Sequence, residues 1–223
     1  MSRALRIRVA DEEVSGLHYP ASGTSLHITL VLGHGAGADQ HSDFMTSYSD
    51  ALAARGLDVL TFNFVYTEQK RGAPDRTPKL EAAYRAAIET ARALVPDHAL
   101  AIGGKSMGGR MSSHIAAQHA AGIRGVVFFG YPLHPPGRPE QRRDAHLPDV
   151  REPMLFVQGS RDTFGTAADL RGMLPKLAAG SAVHEVVDGD HSFKVRVSIA
   201  GASQDAVFSE IFDVTAAFIR KHS

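Results

Sequence analysis

Apolar residues in this chain follow two alternating patterns. Short runs of the kind that fill a strand buried on both faces alternate with longer stretches whose apolar residues recur every three or four positions. Leu5, Ile7 and Val9 alternate with arginines, and Val14, Leu17 and Tyr19 follow the acidic turn Asp11–Glu13, which predicts an antiparallel hairpin at a sheet edge. Ile28–Gly33 is a continuous apolar run that ends in His34-Gly35-Ala36-Gly37. A helix is expected from about Asp43 to Ala54, stopped by Gly56, and a strand over Leu57–Phe64. Residues 65–77 are polar and read as a loop. Thr77-Pro78 then supplies a cap and a first-turn proline for a helix carrying Leu80, Tyr84, Ala87, Ile88, Ala91, Leu94 and Val95. Further strands are expected at Ala99–Ile102, Gly125–Gly130, Pro153–Gln158 and Ala182–Val187, and a closing helix presents Phe208, Ile211, Phe212, Thr215, Phe218 and Ile219 on one face. Strands alternate with helices over residues 1–223, so one α/β domain is expected, a doubly wound, mostly parallel sheet with helices on both faces.

Composition narrows the function classes. An apolar content of 43% suits one domain with a full core. The 24 basic residues balance 24 acidic ones, so neither nucleic acid nor an anionic membrane is an expected partner. Cysteine is absent, which removes disulfides, thiolate metal sites and a thiol nucleophile. The first residues alternate with period two and lack a leader's apolar core, and no apolar run approaches the ~18 residues that suggest a membrane span. A cytoplasmic protein is the expectation.

The candidate chemistry centres on Gly103-Gly-Lys-Ser-Met-Gly-Gly109. Its inner five residues spell G-x-S-x-G between an expected strand and helix, the setting of a nucleophile elbow. Such a turn holds the serine hydroxyl above the sheet and brings the chain so close to itself that the flanking positions must lack side chains. Gly104-Lys105-Ser106 also resembles the end of a phosphate-binding loop, but that motif requires glycine at position 99, which is Ala99. A structural glycine turn with an incidental serine is the plainer alternative. A hydroxyl needs a base, and the base an orienting acid. Asp162 lies just beyond the strand ending at Gln158, and His191 sits in the small-residue loop after the last expected strand, which gives the order Ser, Asp, His. Taken singly, Asp162 could cap a helix, and His191 could be a surface residue or join Asp188 and Asp190 around a metal. The backbone N–H groups of Met107 and Ala36 are the expected oxyanion donors, with His34 buttressing the second loop. Gly33-x-Gly35-x-x-Ala38 also fits a dinucleotide fingerprint, but a polar loop follows the glycines and the next strand ends at Asn63-Phe64 without an acid.

With these residues in view, the chain resembles small bacterial α/β-hydrolases related to dienelactone hydrolases, in the subgroup that includes the testis-expressed hydrolase-like proteins of animals. The likeness runs through Gly33-His-Gly-Ala-Gly37, Ala73-Pro-Asp75, Gly103–Arg110, Gly130-Tyr-Pro-Leu-His-Pro-Pro-Gly137, Gln158-Gly-Ser-Arg-Asp162 and Gly189-Asp-His-Ser-Phe-Lys194. It implies an α/β-hydrolase fold and the triad Ser106, Asp162 and His191. Dienelactone hydrolases proper use a cysteine nucleophile, so their substrate does not carry over. Residues 131–152 are too few for a lid domain, so a lidless or minimally lidded, open site is expected. Tyr131, Phe164 and Phe193 are its expected walls, and Arg71, Arg138 and Lys194 are expected near its mouth. The resulting expectation is a cofactor-independent serine hydrolase that cleaves an ester or thioester of a small acyl substrate. A catalytically idle scaffold that binds partners is the competing reading.

Overall fold

The computed structural model describes all 223 residues. In chain order its elements are β1 (Arg3–Val9), β2 (Glu12–Tyr19), β3 (Ile28–Gly33), α1 (Asp43–Ala53), β4 (Asp58–Phe62), α2 (Val65–Glu68), α3 (Thr77–Leu94), β5 (Ala99–Lys105), α4 (Met107–Ala117), β6 (Ile123–Phe129), β7 (Met154–Gly159), α5 (Ala167–Arg171), β8 (Ala182–Val186), α6 (Val197–Ala200) and α7 (Gln204–His222). Eight strands form one sheet in the order β1-β2-β4-β3-β5-β6-β7-β8. The pairs β1–β2 and β2–β4 are antiparallel and the others are parallel. This is an α/β-hydrolase fold.

Successive residues of the central strands enter opposite cores, which is why those strands read as unbroken apolar runs. Val31, Ile102, Val126 and Phe156 pack with Tyr84 and Ile88 of α3 and Met111 and Ile115 of α4. Leu30, Leu32, Ala101, Val127 and Leu155 pack on the other face with Tyr48 and Leu52 of α1 and Ile211 and Ile219 of α7. The register sets the strand tips level: Gly33 is opposite Gly104, Lys105 opposite Phe129, and Gly159 opposite Val186. Loops after the six parallel strands, β3 to β8, therefore meet along one rim, where such sheets place their sites.

Two local expectations are corrected. Strand β4 stops at Phe62, one further bond of its ladder with β2 runs from Asn63 N–H to Ser15 O (2.9 Å), and Phe64 then caps the short helix α2. Residues 65–77 are thus partly helical, and Val65 and Tyr66 are buried, with Tyr66 N–H donating to Asp75 Oδ2 at 2.9 Å. The cap position of α3 is held by Arg76, with Thr77 already inside the helix.

The elbow rests on a three-way backbone approach. A Cβ built on Gly104 would lie 2.5 Å from both Gly33 O and the Gly108 carbonyl carbon, and one on Gly108 would overlap Gly33 O still more. None of these atoms can yield without moving β3 or α4. Gly108→Ala is therefore expected to destabilise the fold by about 1–3 kcal/mol, the usual range for overpacking. A chemical-denaturation midpoint equal to that of the parent would show that the contact is looser than described.

Candidate active site

Ser106 joins β5 to α4 with φ 50° and ψ −110°, a left-handed conformation that a side-chain-bearing residue adopts only under constraint. The constraint comes from both sides. Ser106 N–H donates to Phe129 O on β6 (3.1 Å), and Ser106 O accepts the first intrahelical bond, from Arg110 N–H (3.0 Å). The N–H groups of Met107, Gly108 and Gly109 precede that bond, so the positive end of α4 lies at the serine.

Asp162 stands in the turn after β7, and its side chain is fully buried. Oδ2 receives the amide of Gln158 (2.8 Å) and lies 2.7 Å from His191 Nδ1, while Oδ1 accepts Phe164 N–H (2.8 Å). A carboxylate partner fixes Nδ1 as the donor, so Nε2 of the neutral ring carries the lone pair. Phe164 lies against the imidazole, ring centroids 4.3 Å apart. Ser106 and His191 line the same cleft, although the hydroxyl makes no hydrogen bond to the ring in this geometry. Such bonds in substrate-free enzymes are often long and tighten only when the reacting group arrives.

The loop after β3 brings Ala36 to the cleft that Met107 also lines. His34 is fully buried beneath it. Its Nε2 accepts Phe64 N–H (3.2 Å), so its Nδ1 donates to Gly35 O (2.8 Å). In a planar trans peptide, the Gly35 carbonyl and the Ala36 N–H point in opposite directions. Tying the carbonyl inward therefore aims the N–H outward. The glycines of this loop open no helix, since α1 begins only at Asp43, and so the dinucleotide geometry is absent.

Some expected neighbours do not converge. Asp188 is held by Arg161 and Arg196, while Asp190 Oδ1 accepts the N–H groups of Ser192 and Lys194, so neither carboxylate joins His191 around a common point. Tyr131 and Phe193 are fully buried and do not line the cleft. Gly130 (φ 69°) and Phe193 (φ 62°) turn these segments back into the protein, and Tyr131 hydroxyl donates to Arg143 O at 2.8 Å. Phe164 and Lys194 do line the cleft, Arg71 pairs with Asp75 at a neighbouring depression, and Arg138 lies elsewhere.

Four contributors escape motif reading. Gln158, fully buried at the tip of β7, holds Asp162, Tyr131 N–H (2.8 Å) and Gly165 O (2.7 Å) at once. Lys105, at the variable position of the elbow, folds beneath it and donates to His191 O. Its ammonium lies 5.6 Å from the Phe44 ring centroid and 5.1 Å from that of Phe193. Burial lowers this amine's pKa to about 8, against the opposing pull of Asp162 and Asp190. The cleft, of about 1180 Å³, also takes in Arg110 and Arg143.

The chain belongs to the alpha/beta hydrolase family, whose domain model matches residues 27–220. Solved structures share the whole architecture at low identity. An alpha-beta serine hydrolase homologue from Coxiella burnetii superposes with a TM-score of 0.76 at 15% identity, over 99% of this chain and 97% of the other. A dienelactone hydrolase from Anabaena variabilis gives 0.77 at 16%, over 100% and 98%. A Xanthomonas campestris serine hydrolase described as lacking a lid gives 0.69 at 20%, over 94% of each chain. In this chain residues 131–152, between β6 and β7, form no lid domain, and Leu133, Leu147 and Val150 pack into the core.

Burial lowers the pKa of His34 to about 4. Its unfolded value is near 6.5, so between these limits the unfolded chain binds the extra proton, and stability falls as pH falls through the window. A loss on the order of 3 kcal/mol is expected from His34 between pH 6.5 and 4. Denaturation across this range in the parent and in His34→Gln checks it; an acid-side slope that survives the substitution unchanged would assign the effect to other groups.

Proposed function

We propose that this chain is a serine hydrolase of carboxylic esters or thioesters acting through an acyl-enzyme. The observation that carries the reading is the buried Asp162 carboxylate 2.7 Å from His191 Nδ1, in a cleft that Ser106 shares. His191 Nε2 takes the hydroxyl proton as Ser106 Oγ attacks the acyl carbon. The Met107 and Ala36 N–H groups receive the oxyanion, and the protonated ring then gives its proton to the leaving alcohol or thiol. Water, deprotonated by the same ring, releases the acid and restores the serine. No step calls for a cofactor. Phe164 would form the wall beside the ring. A small acyl substrate, rather than nucleic acid or membrane, fits the neutral net charge, and no helix is long and apolar enough to cross a membrane. The motifs from Gly33 to Lys194 support a place in the testis-expressed hydrolase-like subgroup.

A fluorophosphonate probe should label the parent at Ser106 and leave Ser106→Ala unlabelled. In ester turnover, Ser106→Ala and His191→Ala should each lower kcat at least ~10³-fold, and Asp162→Asn by about 10⁴, with the fold retained. An unlabelled parent that turns over none of a graded acyl-ester panel would leave the idle-scaffold reading in place.

A further inference from the structure

The arginines in and around the cleft fall into two groups. Most are matched to carboxylates. Arg55 donates to Asp213 (2.6 Å) and to Ser209, Arg71 to Asp75 (2.5 Å), Arg142 to Asp144, and Arg161 and Arg196 to Asp188. Arg76, Arg110 and Arg143 have no side-chain partner and line the cleft that contains Ser106; Arg76 is exposed, whereas Arg110 and Arg143 are half-buried. Arg110 Nε is buried without an acceptor. A buried charged donor left unsatisfied is costly, and proteins retain one where something else completes it. The two guanidiniums also act on each other: burial and then the charge of Arg143 lower the pKa of Arg110. Two like charges converging on one cavity, with no carboxylate between them, are stabilised by an added anion.

Their position relates that anion to the nucleophile. Arg110 stands in the first turn of α4, its N–H donating to Ser106 O at 3.0 Å, and both residues line the cleft. An anion held there would sit a few bonds from an acyl carbon at Ser106. Helix α4 lies on one face of the sheet, whereas α1 and α7 lie on the other and give the cleft Phe44, Tyr48, Phe208 and Phe212. From the α4 side the cleft thus receives Arg110, and from the other it receives aromatic rings beside Arg55 and Lys105, both of which already have acceptors.

We infer that Arg110 and Arg143 form an oxyanion subsite, so that the ester cleaved here carries a carboxylate or phosphate within a few bonds of its scissile carbonyl. The inference rests on the serine-hydrolase reading for its substrate, though not for its binding. Guanidinium forks recognise both oxyanions through paired charge-assisted hydrogen bonds.

Two matched ester pairs test it, one with the charge on the acyl side and one with it on the leaving group. They are mono-p-nitrophenyl adipate against its methyl ester, and 4-acetoxybenzoate against methyl 4-acetoxybenzoate. At low salt, kcat/KM should favour the anion of at least one pair by ~10-fold or more, the scale of a charged hydrogen bond. That ratio should fall to near one in Arg110→Gln/Arg143→Gln and be largely kept in Arg110→Lys. Calorimetric titration of Ser106→Ala with adipate and with inorganic phosphate measures the subsite without turnover; the tighter ligand identifies the oxyanion, and the double substitution should weaken it at least ~10-fold. Turnover of the neutral esters with no anion preference in either pair, and no anion binding, would overturn the subsite and leave the triad standing. Anion binding lost in the double variant, with no ester cleaved and no fluorophosphonate label, would keep the subsite and overturn the triad chemistry.

Discussion

The whole arrangement depends on how closely β3, β5 and α4 approach at three glycines. Gly33, Gly104 and Gly108 touch through backbone atoms alone, at separations no Cβ tolerates. That contact seats the first turn of α4 directly on the sheet tip, which forces Ser106 into its left-handed conformation and leaves its hydroxyl projecting. The strain is local, and the packing of two full hydrophobic layers maintains it. Without this approach the serine would be one more residue in a strand-to-helix loop.

Around that point, chemistry is assembled by level strand tips. Asp162 follows β7 and His191 follows β8, so the sheet register sets their separation before any side-chain contact forms. Hydrogen bonds then fix orientation: Gln158 holds the carboxylate, the carboxylate holds the ring, and Lys105 holds the backbone of the histidine loop. Lys105 neighbours Ser106 in sequence, so one side chain ties the Ser106 turn to the His191 loop.

The layered architecture was legible because each central strand feeds two cores, a demand that leaves an unbroken apolar run. The glycines of the elbow were legible for a similar reason, since close approach admits no other residue. Other features were not. Helix α2 lies within a stretch whose polar composition reads as loop, and what orders it is the Asp75 carboxylate nine residues after Tyr66. Tyr131 and Phe193 follow strands on the active rim, yet a positive φ at or beside each turns the ring inward, a choice that composition does not record. Lys105 and Arg110 flank the serine in plain view. Motif reading treats such positions as variable, and only the missing partners around Arg110 and the carbonyl beneath Lys105 give them meaning.

The connection between β6 and β7 has a further consequence. Leu133, Leu147 and Val150 are committed to the core, so the connection is pinned at both ends beside the cleft. The connection therefore forms no lid domain over Ser106. Bulky molecules, even an acyl group still tethered to a carrier, could then reach the rim without this connection having to open.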